Sequence, residues 1–117
     1  MELNEAQYFG GTPIDGYGPG FFRIGGEVHE GALLLLPSGL GEWAGFEAAP
    51  IVAAADQIDI VLIGTGPEMS YHLPPEFRAA IEGAGIGIEV MASPQACRTY
   101  NVLLGEGRRA GAALLPA

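Results

Sequence analysis

The side chains best equipped for chemistry gather in one stretch, Ser93-Pro-Gln-Ala-Cys-Arg-Thr-Tyr-Asn-Val-Leu-Leu-Gly-Glu-Gly-Arg108. It supplies a thiol at Cys97, guanidinium forks at Arg98 and Arg108, and a carboxamide at Asn101. Two chemistries use such groups: attack by a thiolate, which needs a base beside it, and capture of an anion by forked donors together with the free N–H groups of a helix start. No base accompanies the thiol, since His29 and His72 are not paired with Cys97 in the sequence and the acids are too evenly spread to nominate a dyad. Cys97 also shares a helical stripe with Ala96, Tyr100 and Leu104, so it reads as a packed core thiol. Anion capture is the chemistry left open.

A second stretch adds to it. The apolar run Asp59-Ile-Val-Leu-Ile63 leads into Gly64-Thr65-Gly66, with Pro67 stopping continuation, and ligands in open α/β sheets gather beyond the carboxyl ends of strands. Together the two stretches nominate Gly64, Thr65, Gly66, Ser93, Arg98, Asn101 and Arg108 as a candidate binding site. The plainer alternatives are a tight turn at 64–66 and structural ion pairs from the arginines to Glu89 or Glu106. No catalytic residue is nominated. A lone His29 without a second histidine at ligand spacing gives no metal site, and the Gly-rich 10–20 segment lacks the phosphate-loop signatures, so no cofactor is expected.

The elements that must position these residues follow from periodicity and punctuation. Ser93 as N-cap and Pro94 at the first helical position start a helix, which Gly105 and Gly107 weaken before a short last strand at 110–115. Upstream, Phe21-Phe-Arg-Ile24 and Glu27-Val-His-Glu30 flank Gly25-Gly26 and form a hairpin, in which Arg23 either lies on a solvated strand face or pairs with Glu27 or Glu30. Residues 10–20 form a short strand bounded by turns, or a structured loop. Ala32-Leu-Leu-Leu-Leu36 is a continuous apolar run, as in a strand covered on both faces, and Pro37-Ser-Gly-Leu-Gly41 breaks it. Trp43 and Phe46 cap the core edge before a helix that Pro50 pushes to a start near Ala49. A helix over 74–82 and a strand over 86–91 complete the pattern of an α/β layered domain.

Composition sets outer bounds. A chain of 117 residues fits one domain, 1–117, with one hydrophobic core. A formal net charge of −9 and the absence of lysine exclude the basic stripe that nucleic acid or an anionic membrane would need. The five cations are all arginine, a pattern that a GC-rich genome explains as well as selection for carboxylate or phosphate binding does. One cysteine makes no internal disulfide, the N-terminus is acidic, and the longest apolar run is far too short for a membrane span, so a cytoplasmic, bacterial protein without an integral membrane segment is expected.

The segments Asp15-Gly-Tyr-Gly18, Phe22-Arg-Ile-Gly25, Leu33 to Pro37 with Trp43, Leu62 to Gly66, Gly85 to Met91, and above all Ala96-Cys-Arg-Thr-Tyr-Asn101 with Glu106-Gly-Arg108, resemble the Mth938-like α/β domain family. Its mitochondrial member is an assembly factor of respiratory complex I. The resemblance implies a single three-layer α/β domain, a mixed central β-sheet flanked by helices, and a last strand antiparallel to its neighbours. It implies no established activity. Ala110-Gly111 stands where bulkier residues are expected, and Ser93 where threonine is usual. Two classes of function remain. In the first the chain is a non-catalytic protein-interaction or assembly factor with a protein partner, anchored by exposed side chains such as Tyr8, Phe9, Tyr17, Tyr71 and Leu73. In the second it is a small-molecule anion-binding protein or enzyme using the Gly64–Gly66 turn and the Ser93–Asn101 helix start.

Overall fold

Alternation along two strands explains the layering. In β6 (Ile60–Thr65) Val61 and Ile63 face one side and Leu62 the other, and in β8 (Ala110–Leu115) Ala113 faces the first side while Ala110, Ala112 and Leu114 face the second. A strand with apolar residues on both faces has to be covered on both. The computed structural model, which describes residues 11–69 and 72–117, shows how that is done. A five-stranded sheet runs in the order β5 (Gly39–Glu42), β4 (Leu33–Leu36), β8, β6, β7 (Gly87–Met91). On one face lie α1 (Ala49–Val52) and α2 (Pro75–Gly83), whose Ile51, Phe77 and Ile81 pack against Leu34, Val61, Ile63 and Ala113. On the other lie α3 (Ser93–Gly105) and a separate antiparallel sheet, β1 (Ile14–Gly18), β2 (Phe21–Ile24) and β3 (Glu27–Glu30). There Ala96, Cys97, Tyr100 and Leu104 of α3 meet Ile14, Phe22 and Ile24 over Leu33, Leu35, Leu62 and Leu114.

The mixed α/β architecture and its three layers are those expected, with two refinements. The last strand is antiparallel to β4 but parallel to β6 (Leu62 beside Ala112, Thr65 beside Leu115). It lies in the middle of the sheet, between the hairpin strand β4 and the parallel pair β6–β7, so it must take opposite senses on its two sides. The early hairpin, meanwhile, joins no central sheet; with β1 it makes a second sheet beside α3.

Local chemistry explains most of the boundaries. Gly25 and Gly26 have φ of 60° and 83°, the left-handed pair that a two-residue hairpin turn requires. α1 starts at Ala49 with Pro50 in its first turn, the late start that the proline demands. Pro37-Ser38 does not merely break the leucine run: it turns the chain into β5, paired to β4 through Leu36 with Gly39 and Leu35 with Leu40. That strand was hidden because Gly39-Leu-Gly-Glu42 has neither alternation nor β-branched residues, so only its pairing defines it. Phe46 meets Trp43 and Phe77 edge-on while Trp43 and Phe77 are tilted to each other, with centroids 5.5–6.0 Å apart, closing the helical layer over the sheet. The small residues of β8 leave no looseness. A Cβ on Gly111 would lie 3.1 Å from Leu36 Cδ2 and 3.2 Å from the Leu35 carbonyl oxygen, so the strand packs closely because it is small.

Candidate functional site

The end of β6 and the start of α3 meet closely. β6 continues through Gly64 and Thr65, which pair with Leu114 and Leu115 of β8, and the chain turns only at Gly66 with φ of 100°. Gly64 is required by proximity: a Cβ there would stand 2.7 Å from Ser93 Oγ, 2.8 Å from Leu114 Cδ2 and 3.0 Å from Ser93 Cα. Into that space goes the Ser93 hydroxyl, fully buried. It accepts a hydrogen bond from the Gly66 N–H at 2.9 Å and donates to the Leu115 carbonyl at 2.6 Å, while the Ser93 N–H donates to the Gly66 carbonyl at 2.7 Å. Thr65 donates its hydroxyl to the Glu68 carbonyl at 2.6 Å and lies 3.3 Å from the Met91 carbonyl.

The expected N-cap is therefore corrected. Ala92 occupies the cap position and no side chain caps the helix; Ser93 is already helical, with Pro94 following in the first turn. Its hydroxyl is drawn away from the helix because the converging ends of β6 and β8 leave a buried donor and a carbonyl that must be satisfied. The Gly66 and Ser93 N–H groups and the Thr65 and Ser93 hydroxyls are in this way spent on the fold.

The remaining members of the nominated set are dispersed. Arg98 is exposed on α3, one turn beyond Ser93. Asn101 turns towards β1, accepting from the Ile14 N–H and donating to the Ile14 carbonyl, both at 2.8 Å. It clips the small sheet to α3. Arg108 lies at the other end of the domain, since Ile60 at the start of β6 is level with Ala110, whereas Thr65 is level with Leu115. Five strand intervals of about 3.3 Å put it roughly 17 Å from Thr65. The expected edge shared by Arg98, Asn101, Arg108 and the 64–66 turn is thus divided: the turn and Ser93 are together, Asn101 belongs to the β1 contact, and Arg108 stands apart. Its neighbour Arg109 grips Asp59 with two bonds of 3.1 and 3.3 Å and the Asp56 carbonyl with a third of 3.2 Å, a contact that spacing along the chain does not announce.

Burial decides the protonation of the central groups of α3. Cys97 is 3% exposed, and desolvation pushes its thiol up to about 11 despite the nearby charge of Arg98. Tyr100 is wholly buried, and desolvation raises its phenol to about 12. Its hydroxyl has no hydrogen-bond partner among the described residues and sits 3.1 Å from where a Cβ of Gly11 would be. Among the described residues no three His, Cys, Asp or Glu side chains converge as metal ligands, and no helix is long and apolar enough to cross a membrane.

The surface has features that spacing alone did not reveal. Tyr17, 41% exposed, borders a shallow depression of about 260 Å³ with Pro19, Pro67, Pro94 and Ala117. A wider groove of about 320 Å³ runs between β3 and β5, lined by Val28, His29, Glu30, Leu33, Leu40 and Glu42. Of the five side chains expected as surface anchors, Tyr17 is exposed and Leu73 packs on the helical side of the core. Tyr8, Phe9 and Tyr71 lie outside the described residues.

Comparison with known proteins agrees with this geometry. Residues 14–115 match the model of a family described as a protein of unknown function, DUF498/DUF598. An uncharacterised protein of Rhodobacter capsulatus is 48% identical over 99% of this chain and 94% of its own length. NADH dehydrogenase [ubiquinone] 1 alpha subcomplex assembly factor 3 of Mus musculus is 32% identical over 99% of this chain, which spans 66% of that protein. Among solved structures, an outer membrane protein from Bartonella henselae superposes with a TM-score of 0.83 at 35% identity, covering 93% of this chain and 98% of that one. A Mth938-like domain from Bordetella pertussis superposes with a TM-score of 0.70 at 26% identity, covering 90% and 85%.

Proposed function

The chain belongs to the DUF498/DUF598 family, and on that premise we propose that it works by binding another protein during assembly of a respiratory NADH dehydrogenase and catalyses nothing. The observation that carries the reading is the relationship to the mouse assembly factor along essentially this entire chain. Support comes from the candidate site as well. The Cys97 thiol beside it is buried and held protonated, and the Ser93 hydroxyl bonds to the Gly66 N–H and the Leu115 carbonyl, so this stretch serves to lock α3 onto the sheet. The surface then carries the function. Val28, Leu40, Met69, Tyr17 and Val102 are large apolar side chains left between 41% and 58% exposed, on a chain of strong negative charge.

The reading places the protein in the cytoplasm, facing subunits before they join the membrane. The test is deletion of the gene in the native organism, followed by native electrophoresis and NADH oxidation in isolated membranes, with fractionation of the tagged chain alongside. Loss of assembled dehydrogenase with normal subunit synthesis is expected. Unchanged assembly together with an accumulating metabolite would overturn the proposal in favour of an enzyme.

A further inference from the structure

Hydrogen-bond phase marks two strands whose outward groups meet no further strand among the described residues. The Trp43 N–H donates to the Ala32 carbonyl, so counting back along the β4–β5 register makes Gly41 and Gly39 the residues bonded to β4. Leu40 and Glu42 therefore turn their N–H and carbonyl groups outward. The same count on the small sheet starts from the Gly31 N–H, bonded to the Gly20 carbonyl, and leaves Val28 and Glu30 of β3 facing outward. β3 and β5 are edge strands of their sheets, and the groove of about 320 Å³ lies between them with Leu33 in its lining. Exposed edges are blunted by short length, charged side chains, proline or a bulge, and these four-residue strands have the first two, the charges being Glu27, Glu30 and Glu42. Neither strand contains lysine or proline, and neither pairing shows a break in register.

The geometry points to this groove as a docking site for an extended segment of another protein, in which apolar residues alternate with arginine or lysine and which adds as a strand along β5. Backbone pairing would come from Leu40 and Glu42. Apolar contact would come from Val28, 52% exposed, and Leu40, 41% exposed, with Leu33 beneath. Charge selects the occupant. The groove is lined by Glu30 and Glu42, Glu27 stands beside His29 at 3.9 Å, and the whole chain is at −9, so a basic segment is attracted and an acidic one, or a second copy of this chain, is repelled. This inference deepens the protein-binding reading and rests on it.

The test is titration of the isotope-labelled full chain with a peptide of about six residues alternating arginine and valine, the length of an ordinary strand. Shifts and slowed exchange at the Leu40 and Glu42 amides are expected, with no binding of the glutamate–valine counterpart. Leu40→Pro, which removes an outward donor without touching the β4 ladder, is expected to weaken binding about tenfold. Glu42→Arg should do the same and leaves the backbone intact if the proline variant misfolds. Shifts confined to other surfaces, equal binding of the acidic peptide, or self-association through the same amides would each overturn the groove. In native cells, a photo-crosslinker at position 40 is expected to form adducts on a basic, alternating segment of a partner. Adducts from position 102 alone would refute the groove while leaving the assembly reading intact. Normal dehydrogenase assembly in the deletion strain, with peptide still bound at β5, would refute that reading and leave the groove.

Discussion

Replacing Ser93 by alanine separates two accounts of the same residue. If the hydroxyl were a helix cap, its loss would cost about 1 kcal/mol. The structure demands more. Ser93→Ala leaves the Gly66 N–H without its acceptor in a buried position, at about 1–3 kcal/mol, and removes the bond to the half-buried Leu115 carbonyl, at about 1 kcal/mol. The expected loss is about 3 kcal/mol. A chain of 117 residues unfolds with an entropy of about 0.25 kcal/mol/K, so the midpoint should fall by about 12 °C, against about 4 °C for a lost cap. Urea unfolding followed by circular dichroism supplies the free energy, and an unchanged m-value would show that the native and unfolded states remain comparable. Amide exchange supplies the location, since the Gly66 amide should lose protection before those of central β6. A loss of 1 kcal/mol or less with Gly66 still protected would refute the clip.

Gly64→Ala is expected to destabilise by about 1–3 kcal/mol through overpacking, because the new methyl would meet Ser93 Cα as well as movable side-chain atoms; thermal unfolding checks it. Asn101→Asp should cost about 2 kcal/mol or more, since the Ile14 carbonyl then faces an oxygen, and exchange in β1 should rise before exchange in β6. Cys97 and Tyr100 have folded pKa values raised from 9.0 and 10.0 to about 11 and about 12, so above pH 9 the unfolded chain loses these protons first. Their contribution is intact below pH 9 and disappears as pH rises through about 12, by about 3 kcal/mol per group at most, which urea midpoints across that range will show. Cys97→Ala should flatten the lower part of that decline. In the native protein Cys97 should react with a thiol reagent only as fast as the chain opens; rapid stoichiometric labelling at neutral pH would show that the thiol is accessible.

What the sequence determined by itself was what depends on short-range chemistry. The Gly25-Gly26 turn, the late start that Pro50 imposes on α1, the two-faced burial of Leu33–Leu35 and Val61–Ile63, and the core position of Cys97 all follow from residue type and period, and the fold agrees with each. Tertiary structure decided whatever depends on a partner far along the chain. Whether Ser93 caps its own helix or joins β6 to β8 turns on Gly66 and Leu115, 27 and 22 residues away. Asn101 is taken by Ile14, 87 residues away, which no helical stripe could announce. Asn101 and Arg108 would share a flank on an uninterrupted helix, but α3 ends at Gly105, so Arg108 leaves the helix and with it that flank. β5 exists only because β4 pairs with it, and its outward edge, the surface to which the interaction is assigned, is fixed by hydrogen-bond phase that composition does not encode.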